Sequence, residues 1–216
     1  MTLIRSDLPF EGPPEPPTYT DAELIARSGE LPESFAALFD RHAAALYRYL
    51  TRRAGSSVAE DLVAQTFLVA FERRDRYDTS RSDARAWLYG IATNLLRRHH
   101  RDEARLLRAL ARTGTDPVAT PCPADRIASR LDASAVSRRL AATLAGLPAK
   151  ERDVLLLYAW AELDIEEIGR ALDIPAGTVR SRLHRARKRL RPVVDLADGS
   201  GGTDGRGPTK ETLGHG

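Results

Sequence analysis

Cysteine is almost absent from this chain of 216 residues, which contains one, Cys122. A single cysteine excludes an internal disulfide and any metal site built from clustered thiolates. Two adjacent histidines, His99 and His100, cannot both face one metal from a helix, so we assign them to a basic surface and expect no metal or cofactor. No apolar run reaches the roughly 18–20 residues that span a bilayer. The acidic, proline-rich N-terminus does not resemble a signal peptide, and we expect a cytoplasmic protein with no membrane association.

Strand-like alternation of apolar and polar residues does not persist anywhere in the sequence, which predicts an all-α fold. Two segments carry net charges of about +5 and about +4, with a nearly neutral stretch between them, and predict two small helical domains that face nucleic acid. The predicted boundaries are a disordered segment at 1–20, a first domain at 21–105, a flexible linker at 106–134, a second domain at 135–195 and a disordered tail at 196–216.

The most informative segment lacks acids, since none occurs between Asp173 and Asp195. Wound as an α-helix, residues 177–191 form one narrow apolar face, from Val179 to Leu190, and are basic almost everywhere else. Unbroken charge of one sign argues against a merely solvated helix, and a thin stripe of Ala and Leu without aromatics is poorly suited to a membrane surface. The pattern is typical of a helix that enters the DNA major groove.

A second helix and a tight turn precede this segment. Asp164 is placed to cap a helix beginning at Ile165, with Glu167 at the position of a capping-box acid. Gly169 supplies a small residue where two helices would touch, and Asp173 tolerates a left-handed backbone in the turn. These features predict a helix-turn-helix, which indicates DNA binding and says nothing more.

The helix predicted from Ala84 to about Leu110 combines aromatics, an amide and a terminal basic cluster. Taken alone, Trp87 and Tyr89 are more often core aromatics and Asn94 an ordinary surface residue. The functional interpretation is a single-strand surface, where aromatics and polar groups hold unstacked bases while arginines bind phosphates. This interpretation gains weight because the same chain carries a separate helix-turn-helix.

Three stretches carry a specific resemblance: AEDLVAQTFLVAF at 59–71, RAWLYGIATNL at 85–95, and the segment 147–191 that begins LPAKERDVLLL. The first two resemble the second conserved domain of bacterial sigma factors, and the third resembles their fourth. No third domain lies between them, a layout that resembles the extracytoplasmic-function (ECF) group. The resemblance implies a dissociable subunit, without enzymatic activity, that binds core RNA polymerase and directs promoter recognition and melting in transcription initiation.

The resemblance also implies which residues meet each partner. The polymerase contacts, on the clamp coiled coil of the largest subunit, would be Asp61, Gln65 and Thr66, with the polymerase flap as a further partner site. The −10 contacts, around a base pocket bordered by the loop 77–83, would be Tyr77, Trp87, Tyr89, Asn94, Arg97, Arg98 and Arg101. The −35 contacts on the helix-turn-helix would be Thr178, Arg180, Ser181, Arg182, His184, Arg185, Arg187 and Lys188. Many relatives have Ile-Asp where this chain has Arg97-Arg98, so that helix end is more basic here.

Two other functions fit parts of the sequence. A conventional helix-turn-helix regulator would need a ligand pocket or a dimer face in the N-terminal half, whereas a sigma factor is expected to be a monomer when free. A nucleic-acid enzyme would need a set of catalytic or metal-binding side chains that converge on one site. The acid pairs Glu60-Asp61 and Glu166-Glu167 are adjacent residues at helix starts, which argues against such a site. Relatives of the ECF group are commonly held inactive by an anti-sigma factor, for which no residue here is diagnostic.

Overall fold

The computed structural model describes residues 19–112 and 135–199, and within those two stretches every regular element is helical, which confirms the all-α prediction. The N-terminal unit comprises α1 (Asp21–Arg27), α2 (Ala36–Ala54), α3 (Ser56–Glu72) and α4 (Arg85–Arg112), with short 3-10 turns at Pro32–Phe35 and Arg74–Arg76. The C-terminal unit comprises α5 (Ala135–Gly146), α6 (Ala149–Trp160), α7 (Ile165–Leu172) and α8 (Ala176–Gly199).

Helix boundaries in the N-terminal unit follow from local chemistry. Thr20 caps α1 through a capping box with Glu23, which satisfies two amides at the start of the helix. Gly55 adopts a φ of 98° between α2 and α3, a conformation that only glycine takes without strain. The break predicted at residues 55–57 is therefore confirmed, but it is only one residue long, because α3 begins at Ser56.

The predicted helix-turn-helix is present and is built as its sequence indicates. Asp164 accepts a hydrogen bond from the Glu167 amide at 2.7 Å, and the Glu167 carboxylate accepts one from the Asp164 amide at 2.7 Å. Asp173 ends α7 in the left-handed conformation, with a φ of 52°. A Cβ at Gly169 would lie 2.9 Å from the Ile174 carbonyl oxygen, so the turn requires glycine there. These contacts fix the angle at which α8 leaves the turn.

One face of α8 is buried against the rest of its unit. The buried side chains are those of the predicted stripe: Val179, Leu183, Ala186 and Leu190. The helix runs on to Gly199 past Pro192, well beyond the predicted end at Arg191, so the tail predicted from residue 196 begins inside a helix. Cys122 and the greater part of the predicted linker lie outside the described residues.

The two units pack against each other, which the sequence did not predict. The main contact between them is α4 against α7, and buried residues of both units belong to one continuous apolar core. Gly90 makes this approach possible. A Cβ there would lie 3.1 Å and 3.2 Å from the carbonyl carbon and Cα of Ala171, and closer still to its carbonyl oxygen.

Candidate nucleic-acid interface

The basic face of α8 is open to solvent. The predicted −35 contacts that are exposed are Arg180, Ser181, His184, Arg185, Arg187 and Lys188, while Thr178 and Arg182 are half-buried. Seven of the eight lie on the first half of the helix, the part that a helix-turn-helix presents to base edges, and Lys188 directly follows it. The structure therefore brings this predicted set together on one surface.

Acidic and aromatic neighbours restrain the arginines of α8. Glu151, from the first turn of α6, is 8% exposed and pairs through its two carboxylate oxygens with Arg185 at 3.2 Å and Arg189 at 3.1 Å. Arg180 pairs with Glu166 of α7 at 3.2 Å. The Arg187 guanidinium lies 4.8 Å from the Tyr158 ring centroid, within range of a cation–π contact. The free recognition helix is thus less cationic than its sequence suggests.

An aromatic cleft lies beside the N-terminal end of α4. The rings of Tyr77 and Trp87 are 5.0 Å apart and tilted by 52°, and they line a cleft of about 340 Å³ with Asp78, Arg81 and Asp83 of the loop. The Tyr77 hydroxyl donates to the Arg81 carbonyl at 2.8 Å. Burial, together with nearby acids of which Asp21 is the strongest, raises the pKa of Tyr77 to about 12, so its hydroxyl stays protonated. The cleft has the stacking surface and polar rim that an unstacked base requires.

Of the predicted −10 contacts toward the C-terminal end of α4, three are exposed and one is paired with an acid of the C-terminal unit. Asn94, Arg98 and Arg101 are exposed. Arg97 is partly covered, because its Nε donates to Asp153 of α6 at 2.6 Å. These four residues continue away from the aromatic cleft on the helix that carries Trp87.

Tyr89 must be corrected from a DNA contact to a core residue. It is 4% exposed, and its ring packs edge-on against Tyr49 of α2 at 5.2 Å. Its burial raises its pKa, consistent with a phenol held away from water. Helical spacing explains the difference: Tyr89 is two residues from Trp87, so the two side chains leave α4 on different faces.

The predicted polymerase contacts also divide. Asp61 and Gln65 are exposed and line a cleft of about 440 Å³ between α3 and α4, together with Arg98. Thr66 is fully buried, and its hydroxyl donates to the Leu62 carbonyl at 2.6 Å, so it is a core residue and not a surface contact. Leu68, a large apolar side chain that is 58% exposed, lies three residues after Gln65 and therefore on the same side of α3. The predicted contacts did not include it, although this spacing could have indicated it.

His100 does not belong to a basic surface. Burial and then the charge of Arg53, with His99 and Arg152 contributing, lower its pKa to about 4, against a small opposing effect of Glu103. His100 is therefore neutral at physiological pH. Sequence alone missed this, because the residues that surround it include Arg53 of α2 and Arg152 of α6.

Asp21, His42 and Asp83 bring possible metal-ligand atoms within 4.8 Å of one another, a grouping that the sequence did not predict. Hydrogen bonds within the protein already account for it: the Asp21 carboxylate accepts from Arg41 at 3.0 Å, His42 at 2.7 Å and the Ala84 amide at 2.9 Å. Burial opposes ionisation of Asp21, but these bonds outweigh it and lower its pKa to about 2. The carboxylate ties α1 and α2 to the start of α4.

Among the described helices, none is both long and apolar enough to cross a membrane.

Comparisons with known proteins agree with this geometry. The family model for Sigma-70 region 2 matches residues 38–106, and the model for Sigma-70 region 4 matches residues 137–190. The first match covers the cleft and the predicted docking face, and the second covers the helix-turn-helix. The two matches occur in the same order along the chain as the two predicted interfaces.

Individual relatives extend across both units. The ECF RNA polymerase sigma factor SigL of Mycobacterium tuberculosis is 35% identical over 159 residues, covering 72% of this chain and 85% of SigL. The ECF RNA polymerase sigma factor SigW of Bacillus subtilis is 33% identical over 167 residues, covering 74% of this chain and 88% of SigW.

Solved structures show the same fold. The structure of CnrH in complex with the cytosolic domain of CnrY aligns with a TM-score of 0.58 at 26% identity, covering 82% of this chain and 97% of CnrH. The sigma factor RpoE in complex with the anti-sigma factor NepR from Bartonella quintana aligns with a TM-score of 0.56 at 22% identity, covering 76% and 98% of the two chains. With both conserved regions matched and relatives similar over most of their length, the chain belongs to the ECF group of RNA polymerase sigma factors.

Proposed function

We propose that this sigma factor directs core RNA polymerase to promoters by holding DNA at two points and contributing no bond-making chemistry of its own. The observation that carries the proposal is the pairing, in one chain, of a duplex-reading helix-turn-helix with an aromatic cleft beside an arginine-bearing helix. Each surface alone would bind weakly. Mounted on polymerase, the second contact becomes intramolecular and gains effective concentration.

At the −35 element, α8 enters the major groove. Ser181, Arg182, Arg185 and Lys188 face bases, while Arg180 and Arg187 reach phosphates. Arg185 is suited to guanine, whose O6 and N7 accept two hydrogen bonds from one guanidinium. Binding must first displace the carboxylates of Glu151 and Glu166 from these arginines, and DNA phosphates supply the replacement charge.

At the −10 element, the cleft of Tyr77 and Trp87 receives a base extruded from the nontemplate strand. Aromatic side chains favour an unstacked base because every base has a π face, and arginines further along α4 hold the backbone. Asn94 and Arg98 are exposed in the structure and available for this role. Arg97 joins them when it leaves Asp153.

The partners of this sigma factor are core RNA polymerase and promoter DNA. The polymerase surface is on α3, with Asp61, Gln65 and Leu68 on one face. An anti-sigma factor is a further expected partner, since the aligned RpoE structure contains one. As a polymerase subunit the protein would act in the cytoplasm and exist as a monomer when released.

Run-off transcription tests the proposal. Purified core polymerase is given a pool of promoter fragments from the protein's own genome, with and without the full-length chain. Discrete start sites that depend on the protein are expected, and their alignment would give both promoter elements. A variant lacking the cleft ring, Trp87→Ala, should reduce melting of these promoters more than binding to their closed duplex.

No transcripts, no core binding and site-specific DNA binding by the protein alone would overturn the proposal in favour of a conventional helix-turn-helix regulator. Dimerisation of the free chain would point the same way. Tight binding of the isolated protein to one duplex site, even with transcription intact, would contradict the two-point mechanism.

A further inference from the structure

One carboxylate of the C-terminal unit is shared by two arginines of α8. The Glu151 Oε1 atom lies 3.2 Å from Nε of Arg185, and its Oε2 atom lies 3.1 Å from Nη1 of Arg189. The two arginines are four residues apart, so they lie one above the other on the same side of the helix. Each arginine pairs with its own oxygen, and one can therefore leave without displacing the other.

The Glu151 carboxylate is not free to turn to water when it loses a partner. Its side chain is buried, whereas those of Arg185 and Arg189 are about half exposed. The Oε2 atom is shielded from solvent, and no group in the described part of the chain donates a hydrogen bond to it. An ionised group in this position is costly unless a cation stays beside it. Glu151 must therefore keep at least one arginine while it remains charged.

The two arginines differ in their relation to DNA. Arg185 belongs to the predicted −35 contacts, on the side of α8 away from its buried stripe. Arg189 lies one turn further toward the C-terminal end, about 6 Å along the helix axis. A helix-turn-helix reads bases with the N-terminal part of its second helix, which favours Arg185 over Arg189 as a base contact. DNA would therefore take Arg185 from Glu151 and leave Arg189 in place.

From these contacts we infer that Arg189 is a positioning residue for DNA binding by α8, which keeps the charge of Glu151 paired and thereby lets Arg185 leave that carboxylate for DNA. The inference rests on the proposed function, because it takes α8 as the DNA-reading helix. Without Arg189, release of Arg185 would leave a buried carboxylate with no cation, so Arg185 would stay on Glu151. Arg189 thus aids DNA binding without touching a base.

Substitution of Arg189 in two backgrounds separates this role from a direct contact with phosphate. Arg189→Gln is made in the full-length chain with Glu151 present, and again together with Glu151→Gln. The Arg189 side chain is about half exposed, so its replacement leaves the core intact. Arg191→Gln is the matched control, since it removes an exposed arginine of α8 that pairs with Asp195 instead.

Binding is measured as the anisotropy of a short fluorescein-labelled duplex of random sequence at several salt concentrations. We expect Arg189→Gln to weaken binding about tenfold with Glu151 present, a size that coupled charges commonly show. In the Glu151→Gln background the same substitution should cost no more than the Arg191→Gln control, because no buried charge then holds Arg185.

Two further observations distinguish positioning from a structural role. The salt dependence of binding should fall by about one released ion for Arg189→Gln alone and recover when Glu151→Gln is added, since Arg185 is then free to meet a phosphate. Arg189→Lys keeps a cation beside Glu151 and should bind about as tightly as the parent chain.

An equal loss in both backgrounds would overturn the inference and make Arg189 a DNA contact of its own. A loss no larger than that of the control, even with Glu151 present, would also overturn it, since Arg185 would leave Glu151 unaided. The measurement uses no polymerase and no promoter. The proposed function is judged separately by run-off transcription, so the two can fail independently.

Discussion

The arginines predicted to contact DNA are restrained differently in the two units of this sigma factor. In the C-terminal unit the arginines of α8 are restrained by acids of the same unit, Glu151 and Glu166, and remain about half exposed or more. In the N-terminal unit Arg97 is restrained by Asp153, an acid from the other unit. Acids of the same unit reduce the charge of the α8 surface and leave it exposed, whereas Asp153 of the other unit partly covers Arg97.

The acids that pair with arginines of α8 and of the N-terminal unit lie on the same short stretch of α6. Glu151 and Asp153 are two residues apart near the start of α6, so their side chains leave the helix on different sides. One faces α8 and the other faces the N-terminal unit. The start of α6 therefore carries the acids that neutralise arginines of both predicted DNA surfaces.

The largest effect is expected when the anion between the units is neutralised. Asp153→Asn would leave the buried Arg53 without a charge partner, and breaking such pairs typically costs about 3–5 kcal/mol. The cost should appear as loss of docking, because separation returns Arg53 to water. Urea unfolding should change from one transition to two, and the distance between spin labels placed on the two units, measured by double electron–electron resonance, should lengthen.

Double substitution provides the control for this prediction. Arg53→Gln with Asp153→Asn removes both charges and should cost less than Asp153→Asn alone. If the single variant keeps one sharp transition and the parent distances, Asp153 does not hold the units together.

Acidic pH should lower the free energy of unfolding because His100 becomes protonated in the unfolded chain. Its pKa is about 4 in the folded chain against 6.5 for an unperturbed imidazole, because it is buried and faces Arg53, His99 and Arg152, with Glu103 as the opposing charge. Between those values the unfolded chain binds more protons, so stability is full above pH 6.5 and falls as the pH drops toward 4. We expect the free energy of unfolding to be about 2 kcal/mol lower at pH 5 than at pH 7 because of this residue.

His100→Gln should remove most of that pH dependence while leaving the acid loss below pH 3.8 that comes from Asp21, whose folded pKa is about 2. Urea unfolding at several pH values measures both. An unchanged slope between pH 6.5 and 5 in the variant would show that another group carries the effect.

A smaller effect, on recognition alone, is expected at the −35 surface. Arg185→Ala should weaken promoter-specific initiation by about 1–3 kcal/mol and relax the preference at one −35 position. Transcription from promoter variants at each −35 position measures this. Arg191→Ala, an exposed arginine paired with Asp195, is the control and should leave the base preference intact. Equal loss on every sequence would make Arg185 a phosphate contact.

The smallest effect is expected for Thr66→Val. The Thr66 hydroxyl donates a hydrogen bond to the Leu62 carbonyl within α3, and valine has nearly the same shape as threonine. The affinity for core polymerase should therefore change by less than about threefold. Gln65→Ala, on the exposed face, should weaken binding more in the same fluorescence titration. A larger loss for Thr66→Val than for Gln65→Ala would return Thr66 to the polymerase contacts.

The helix-turn-helix could be predicted in detail because its determinants are local. A capping box, a left-handed turn residue and an apolar stripe each lie within a few residues of the structure they specify. The cleft of Tyr77 and Trp87 was also predictable, since the loop and the helix that form it are neighbours in sequence.

What the sequence did not predict depends on residues that meet over long separations. Arg53 and Asp153 are 100 residues apart in the chain, and each reads alone as an ordinary surface charge. Tyr89 is an aromatic residue of the kind that can stack on bases, but it lies in the core, where Tyr49 of α2 packs against it. Thr66 lies on the helix predicted to dock on polymerase, but it is one residue after the exposed Gln65 and its side chain points into the core.

The most direct test of binding at two points is the distance between spin labels at Ala44→Cys and Ala142→Cys, exposed positions of the two units, in a chain that also carries Cys122→Ser. It is measured by double electron–electron resonance in the free protein and again after addition of core polymerase and promoter DNA. We expect a single short distance in the free chain and a much longer one in the promoter complex, in line with the separation of the −10 and −35 elements. The same distribution in both states would contradict it.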